Sequence, residues 1–101
     1  MKLTHQEKES IKKELAACLK GEPEVKKVIV FGSFITAEEP NDLDVAIFQD
    51  SSDAYLPLAL KYRRIIRKLA RRIPMDILPV RAGASGVMLE EITRGEVIYE
   101  R

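Results

Sequence analysis

Two aspartates separated by a single residue, Asp42 and Asp44, open a segment that becomes fully apolar after Asp44. In a β-strand, residues two apart point to the same face, so both carboxylates would share a face while Leu43 points to the other. Neighbouring anions repel each other, and Mg²⁺ is the hard cation that carboxylates and substrate phosphates bind together. An inert, solvated turn at Asn41-Asp42 ahead of a strand fits the same residues. The spacing alone leaves the metal site and the turn equally open.

A third aspartate, Asp76, lies inside the otherwise apolar segment 74–80. A carboxylate among apolar residues costs free energy unless it is paired or bound to a metal. Asp76 on a neighbouring strand would complete a cluster able to hold two metal ions, the arrangement used for in-line displacement at phosphorus. The competing explanation is an ion pair with a nearby arginine, for which the sequence offers Arg71, Arg72 and Arg81.

A Gly32-Ser33 dipeptide follows directly after the apolar run 28–31. Backbone N–H groups become free where a strand ends, and glycine lets a phosphate approach the main chain closely. The serine hydroxyl adds one more donor. Taken alone, however, such a dipeptide is more often an ordinary turn than a phosphate cradle.

The elements that position these residues can be predicted from the hydrophobic pattern. A capping box from Thr4 to Glu7 opens a first helix, and Gly21 ends it. Short apolar runs bounded by turn residues predict four strands. The predicted strands cover residues 25–31, 44–48, 75–80 and 97–99.

Two further helices are predicted between these strands. The longer one begins at a cap in 51–53 and runs to about Arg72, and a short one covers 87–92 after a turn at 83–86. The order of elements favours an α+β fold in which a mixed β-sheet is covered by helices on one face. The length of 101 residues predicts one domain over residues 1–101.

Composition narrows the classes of function. Hydrophobic residues make up 46% of the chain, charged residues 33%, and the net charge is +1, so nothing global indicates nucleic acid or a membrane. The lone Cys18 excludes a disulfide framework and a CxxC metal site, and fits a reducing cytoplasm. No apolar run is long enough to span a bilayer, and no signal region opens the chain.

Charge is nevertheless segregated along the sequence. Residues 38–53 carry six acids and no base, while residues 61–72 carry seven bases and no acid. Four of these bases recur at helical spacing opposite the apolar stripe of the predicted helix. They are Lys61, Arg64, Lys68 and Arg71. A simply solvated face is favoured, with an acidic partner surface or RNA as the functional alternatives.

Taken in order, the motifs resemble the DNA polymerase β nucleotidyltransferase superfamily, in particular its small prokaryotic members. The residues that carry the resemblance are Phe31-Gly32-Ser33, the segment 41–48 and Met75-Asp76-Ile77. The resemblance implies a palm-like α+β domain. It also implies that Gly32 and Ser33 hold the β- and γ-phosphates of a nucleoside triphosphate, and that two Mg²⁺ ions are bound. Asp42 and Asp44 would bind both ions, and Asp76 would complete the site nearest the acceptor.

In such an enzyme an acceptor hydroxyl attacks the α-phosphate, which here would transfer AMP from ATP and release pyrophosphate. Small members are often paired with a helical HEPN-type protein as antitoxin and toxin, so the resemblance implies such a partner as a candidate acceptor. Two other functions stay open: a module that neutralises the partner by contact alone, and a small RNA-binding adaptor. A homo-oligomer is also left open, and a membrane is not expected.

The loop after Gly32-Ser33 departs from the family pattern. Phe34 stands where a basic residue is common, Ala37 where a second glycine is common, and Glu38-Glu39 where the stretch is usually basic. Fewer positive groups beside the triphosphate would weaken nucleotide binding.

Overall fold

Helices and strands alternate along the chain, which we describe from a computed structural model that covers residues 3–81, 83–84 and 86–101. The elements are α1 (His5–Lys20), β1 (Val25–Phe31), α2 (Ser33–Thr36), β2 (Leu43–Gln49), α3 (Tyr55–Ile65), a 3₁₀ turn (Leu69–Arg71), β3 (Met75–Arg81), α4 (Val87–Thr93) and β4 (Glu96–Glu100). All four predicted strands are confirmed, with ends within one or two residues of the prediction. The turn predicted over 83–86 includes Ser85, which lies outside the described residues.

The strands form one mixed sheet in the order β3-β2-β1-β4. β1 is antiparallel to both of its neighbours, β2 and β4, whereas β2 and β3 are parallel and are joined by the crossover through α3. Parallel neighbours begin at the same edge of a sheet. The first residues of β2 and β3 therefore lie side by side, which decides where Asp44 and Asp76 can meet.

The first helix begins and ends as predicted. The Thr4 hydroxyl accepts a hydrogen bond from the backbone N–H of Glu7, and the Glu7 carboxylate accepts one from the backbone of Thr4, both at 3.0 Å. This reciprocal capping satisfies two donors that a helix start leaves free. Gly21 caps the other end.

The helix between β2 and β3 is shorter than predicted. It begins after Ala54 without a side-chain cap, and the Ser51 hydroxyl instead accepts from the backbone of Asp53, so the predicted cap at 51–53 is wrong. It ends at Ile65, and the chain tightens into the 3₁₀ turn. The tighter turn buries Leu69, so the apolar pattern continues although the α-helix does not.

Apolar side chains pack on both faces of the sheet. Val28 and Val30 of β1 point to the face covered by α1 and α3, whereas Ile29 and Phe31 point to the opposite face. A strand that is apolar on both sides needs cover on both sides. Ile92 of α4 contributes that second cover, so the expectation that all helices lie on one face does not extend to α4.

None of the helices in the described part of the chain combines the length and the apolar character that crossing a membrane requires.

Candidate metal and phosphate site

Three carboxylates meet where β2 and β3 begin. Asp42 immediately precedes β2, and Asp44 and Asp76 are the second residues of β2 and β3. Asp44 pairs with Asp76 across the parallel strands, and one carboxylate oxygen from each aspartate lies within 4.8 Å of the others. Leu43 is fully buried in the core, so the alternation predicted for this segment is present.

Burial raises the pKa of the Asp44 carboxyl, and the nearby charges of Asp42 and Asp76 raise it further. Both effects disfavour the ionised form, so holding this carboxylate ionised costs free energy. No salt bridge among the described residues involves any of the three aspartates. Within the described part of the chain, no cationic side chain lies at ion-pair distance from the cluster.

None of the arginines weighed as partners of Asp76, which are Arg71, Arg72 and Arg81, makes a salt bridge with it. The Arg72 guanidinium lies 3.1 Å from the carboxylate of Glu14. The Arg81 guanidinium donates a hydrogen bond to the backbone carbonyl of Asp53. Asp76 itself is exposed beside the two half-buried aspartates. A cluster of oxygen ligands with one open side suits a hard divalent cation that keeps positions for substrate, so the residues present fit Mg²⁺.

Gly32, one of the two residues predicted to hold phosphates, lies against the carboxylate of Asp44. Its φ of 79° lies in the left-handed region, which residues with a Cβ adopt only with strain. A Cβ at this position would also collide with the carboxylate of Asp44. The strand end can approach the aspartate this closely only because the residue is glycine.

Phe34, one of the loop residues that depart from the family pattern, has a structural role. Phe34 is buried in the main core, so a basic side chain there would lose this packing. The ammonium of Lys8, on α1, donates hydrogen bonds of 3.0 and 2.8 Å to the backbone carbonyls of Phe34 and Ala37. Ser33 begins α2, and its carbonyl accepts from the backbone N–H of Ala37 at 2.7 Å. Lys8 of α1 thus holds the loop in place through its hydrogen bonds. This role was not predicted from the sequence.

Two clefts open beside the carboxylates. The first, about 350 Å³ in volume, is lined by Asp44 and Asp76 together with Phe31, Tyr55, Arg63 and Glu91. The Glu91 side chain contributes to the raised pKa of Asp44, after burial and the other two aspartates. This cleft gives a substrate access to the exposed side of the cluster.

The second cleft, also about 350 Å³, opens at Gly32 and Ser33, the residues predicted to hold phosphates. It is lined by Gly32, Ser33, Thr36, Glu91 and Arg94. Arg94 supplies a guanidinium, which binds phosphate oxygens in bidentate geometry. Arg94, which directly follows α4, thus places a positive charge in the cleft beside Gly32 and Ser33. Sequence reasoning missed Arg94 and Glu91 because they are distant along the chain and belong to no local motif.

A known protein family matches most of the chain. The family model described as "Polymerase beta, Nucleotidyltransferase" matches residues 13–101. No curated protein matches the sequence significantly.

Solved structures share the fold at low sequence identity. One is a tri-AMPylated HEPN toxin of Shewanella oneidensis in complex with an MNT antitoxin, with a TM-score of 0.68, 16% identity and coverage of 93% of this chain and 73% of that one. A toxin–antitoxin solved with AMP-PNP has a TM-score of 0.69 at 18% identity, covering 89% and 73%. The MntA-HepT pair has a TM-score of 0.61 at 17% identity, covering 92% and 73%.

Proposed function

We propose that this chain, which belongs to the polymerase β nucleotidyltransferase family, catalyses the metal-dependent transfer of AMP from ATP to a hydroxyl group of a partner protein. The family match confirms the resemblance found in the ordered motifs. The observation that carries the proposal is the meeting of Asp42, Asp44 and Asp76 within 4.8 Å. Gly32 approaches Asp44 so closely that the phosphate cradle adjoins this cluster.

The three aspartates are proposed as the ligands of two Mg²⁺ ions. Bound ions of this kind neutralise the charge that develops on phosphoryl oxygens during in-line displacement. Asp44 is placed to be a ligand that both ions share. Asp42 lies two residues before it in the sequence, and Asp76 on β3 is its partner in the parallel pairing. Its unfavourable ionisation in the metal-free protein supports a cation in this place.

Gly32, Ser33 and Arg94 are proposed to hold the β- and γ-phosphates. The backbone N–H groups at the start of α2 and the Ser33 hydroxyl would donate to phosphate oxygens. Arg94 lines the same cleft and would add a charge-assisted contact. Glu91, an acid in that cleft, would repel phosphate placed on its side and so direct it towards Arg94.

The exposed carboxylate of Asp76 is proposed to orient the acceptor and favour loss of its proton. The acceptor oxygen forms a bond to the α-phosphorus, and the bond from this phosphorus to the bridging oxygen breaks. Pyrophosphate leaves with the electron pair of that bond, and the hydroxyl proton passes through the Asp76 carboxylate to solvent. Placement of the reacting groups and neutralisation of charge account for most catalysis of this kind.

A HEPN-type protein is the proposed acceptor, with this chain as the antitoxin of the pair. The support comes from solved toxin–antitoxin complexes with the same fold, one of which contains a tri-AMPylated HEPN toxin. ATP is favoured as donor because one such toxin–antitoxin was solved with AMP-PNP. We place the reaction in the cytoplasm, where Cys18 would stay reduced.

The test is to incubate the chain with the HEPN-type protein of the same genome, Mg²⁺ and ATP labelled at either the α- or the γ-phosphate. We expect the partner to retain the α-label only, and chelation of the metal to abolish labelling. Asp42→Asn should remove the activity, whereas Asp50→Asn, the same change at an exposed position outside the cluster, should not. Neutralisation of the partner without label would instead favour a binding module.

A further inference from the structure

An unusual share of exposed apolar surface lies on α3. Four large hydrophobic side chains are exposed in the described part of the chain, and three of them are on this helix. Tyr55 is 54% exposed, Leu56 61% and Leu60 48%. Leu56 and Leu60 are neighbours on the helix surface because they are four residues apart. Grouped apolar residues on a surface mark a place where another molecule binds.

Free arginines continue this surface towards the end of the helix. Lys61 and Arg72 are both paired with acids of α1 or of the loop that follows it. By contrast, no salt bridge or side-chain hydrogen bond among the described residues engages Arg63, Arg64 or Arg67, and all three are exposed. Lys61 and Arg72 thus take part in ion pairs of the fold, whereas these three arginines do not.

The surface runs directly into the cleft that contains the aspartates. Leu56, Leu60, Arg63 and Arg67 are spaced three or four residues apart, so they follow one flank of α3 and of the turn beyond it. Arg63 also lines the cleft together with Asp76. We call these four residues the α3 flank. A molecule bound along them would extend, at Arg63, into the cleft that contains the carboxylates.

We propose that the α3 flank docks an acidic segment of the acceptor protein and so brings its hydroxyl to Asp76. The inference rests on the proposed function, since it assigns that reaction a docking surface. Arginine is enriched at protein–protein interfaces, and a group of exposed apolar side chains marks an interaction site. A nucleic acid fits less well, because it carries a phosphate at every nucleotide. Some of these phosphates would lie beside the carboxylates of Asp44, Asp76 and Glu91, which repel them. A protein can place acids on the arginines and a neutral hydroxyl beside the carboxylates.

In the experiment, two short peptides are titrated separately into the chain. Mg²⁺ and a non-hydrolysable ATP analogue are present throughout. Both peptides carry one tyrosine and one serine, flanked by glutamate and leucine in the first and by lysine and leucine in the second. We expect the acidic peptide to bind about tenfold more tightly than the basic one, because attraction replaces repulsion at several exposed charges. The affinity of the acidic peptide should fall as the salt concentration rises, because salt screens this attraction. Its binding should shift amide resonances of α3 in nuclear magnetic resonance spectra.

A matched pair of variants locates the surface. Arg67→Glu should weaken the acidic peptide about fivefold to tenfold, since it replaces an attraction with a repulsion. Lys13→Glu, the same charge change at an exposed position of α1, should leave it unchanged. Equal affinity for the two peptides, or equal loss in both variants, would overturn the docking proposal.

Two further measurements keep the proposals apart. Calorimetry of the ATP analogue should give the same affinity for Arg67→Glu and the original chain, because Arg67 lies outside both clefts. Failure of the original chain to bind the analogue would contradict the proposed function. Normal nucleotide binding without a preference for acidic peptide would contradict the docking surface alone. A single-stranded RNA that shifts the α3 resonances at lower concentration than the acidic peptide would assign the flank to nucleic acid instead.

Discussion

At the scale of single residues, the site depends on the absence of a side chain at Gly32. Its left-handed backbone turns the chain out of β1, and its missing Cβ leaves room for the carboxylate of Asp44. Gly32 thus meets two requirements, the left-handed turn out of β1 and the room for the Asp44 carboxylate. A larger residue would disturb both at once.

Gly32→Ala should separate these two requirements when it is compared with Gly83→Ala. Gly83 has a similar φ of 83°, but an added Cβ there would meet nothing within 4 Å. Each substitution should cost about 1–2 kcal/mol in the free energy of unfolding, the usual penalty for a Cβ in this conformation. Only Gly32→Ala should also lose nucleotidyl transfer, because it displaces Asp44. Chemical denaturation and a transfer assay on both variants test this, and equal activity would show that the collision is relieved without consequence.

Arg94 provides a second test at this scale. If it binds the triphosphate, Arg94→Ala should weaken ATP binding by about tenfold or more, since a charge-assisted hydrogen bond contributes about 1.5–3 kcal/mol. AMP, which lacks the β- and γ-phosphates, should bind the variant and the original chain alike. Calorimetry with both nucleotides distinguishes these outcomes. An equal loss for ATP and AMP would place Arg94 near the base or the sugar instead.

At the scale of elements, a partly buried polar contact joins α3 to Glu24, the residue directly before β1. The hydroxyl of the buried Tyr62 donates to the Glu24 carboxylate at 2.7 Å, and the ammonium of Lys61 donates to the same oxygen at 2.9 Å. Partial burial opposes ionisation of Glu24, yet these two hydrogen bonds leave its pKa below the ordinary value of 4.5. The contact fixes the helix that carries the α3 flank.

Tyr62→Phe should destabilise the protein by about 1–2 kcal/mol at neutral pH, since it leaves a carboxylate with one partner fewer. A lowered carboxyl pKa in the folded state gives stability that is present above pH 4.5 and is lost as the pH falls through the folded-state value. The difference between variant and original chain should therefore shrink in acid. Urea unfolding at several pH values measures it, with the exposed Tyr55→Phe as a control. A difference that stays constant with pH would mean that Glu24 is not the partner that matters.

The sequence predicted those elements whose ends are chemically marked. Thr4, Glu7 and Gly21 delimit α1, and glycine or proline breaks separate the apolar runs that became strands. The end of α3 could not be predicted, because buried residues recur through the following 3₁₀ turn at nearly the same spacing. The position of α4 depends on β1 being apolar on both faces. The consecutive apolar residues of β1 are visible in the sequence, but they do not indicate which helix covers which face.

The candidate site was predictable only where it is local. The Asp42 and Asp44 pair and the isolated Asp76 are visible in the sequence, and the structure brings them together. Arg94 enters the phosphate cleft through the tertiary fold alone. Lys8 reaches the α2 loop in the same way. Their roles as catalytic and binding residues stay predictions until they are tested.

At the scale of the whole molecule, the carboxylate cluster opposes the stability of a small domain. A chain of this length buries a modest fraction of its surface, so a repulsive cluster is a sizeable share of its free energy of unfolding. Burial, Asp42 and Asp76 raise the pKa of Asp44, so the folded state binds that proton more tightly than the unfolded state. The resulting cost appears as the pH rises above the ordinary value of 3.8 and is complete above the folded-state pKa.

Asp44→Asn, which keeps the shape and removes the charge, should therefore abolish transfer yet melt at the same or a higher temperature without metal. Mg²⁺ with ATP should raise the melting temperature of the original chain, because a ligand at about a hundredfold excess over its dissociation constant stabilises the native state by about 2.7 kcal/mol. The variant should show little of this rise, since the ions lose a ligand that they share. Thermal scans of both proteins and of Asp50→Asn, with and without Mg²⁺ and ATP, decide the matter. If Asp44→Asn melts lower without metal and the original chain ignores Mg²⁺ and ATP, Asp44 serves the fold, and the proposed metal site is wrong.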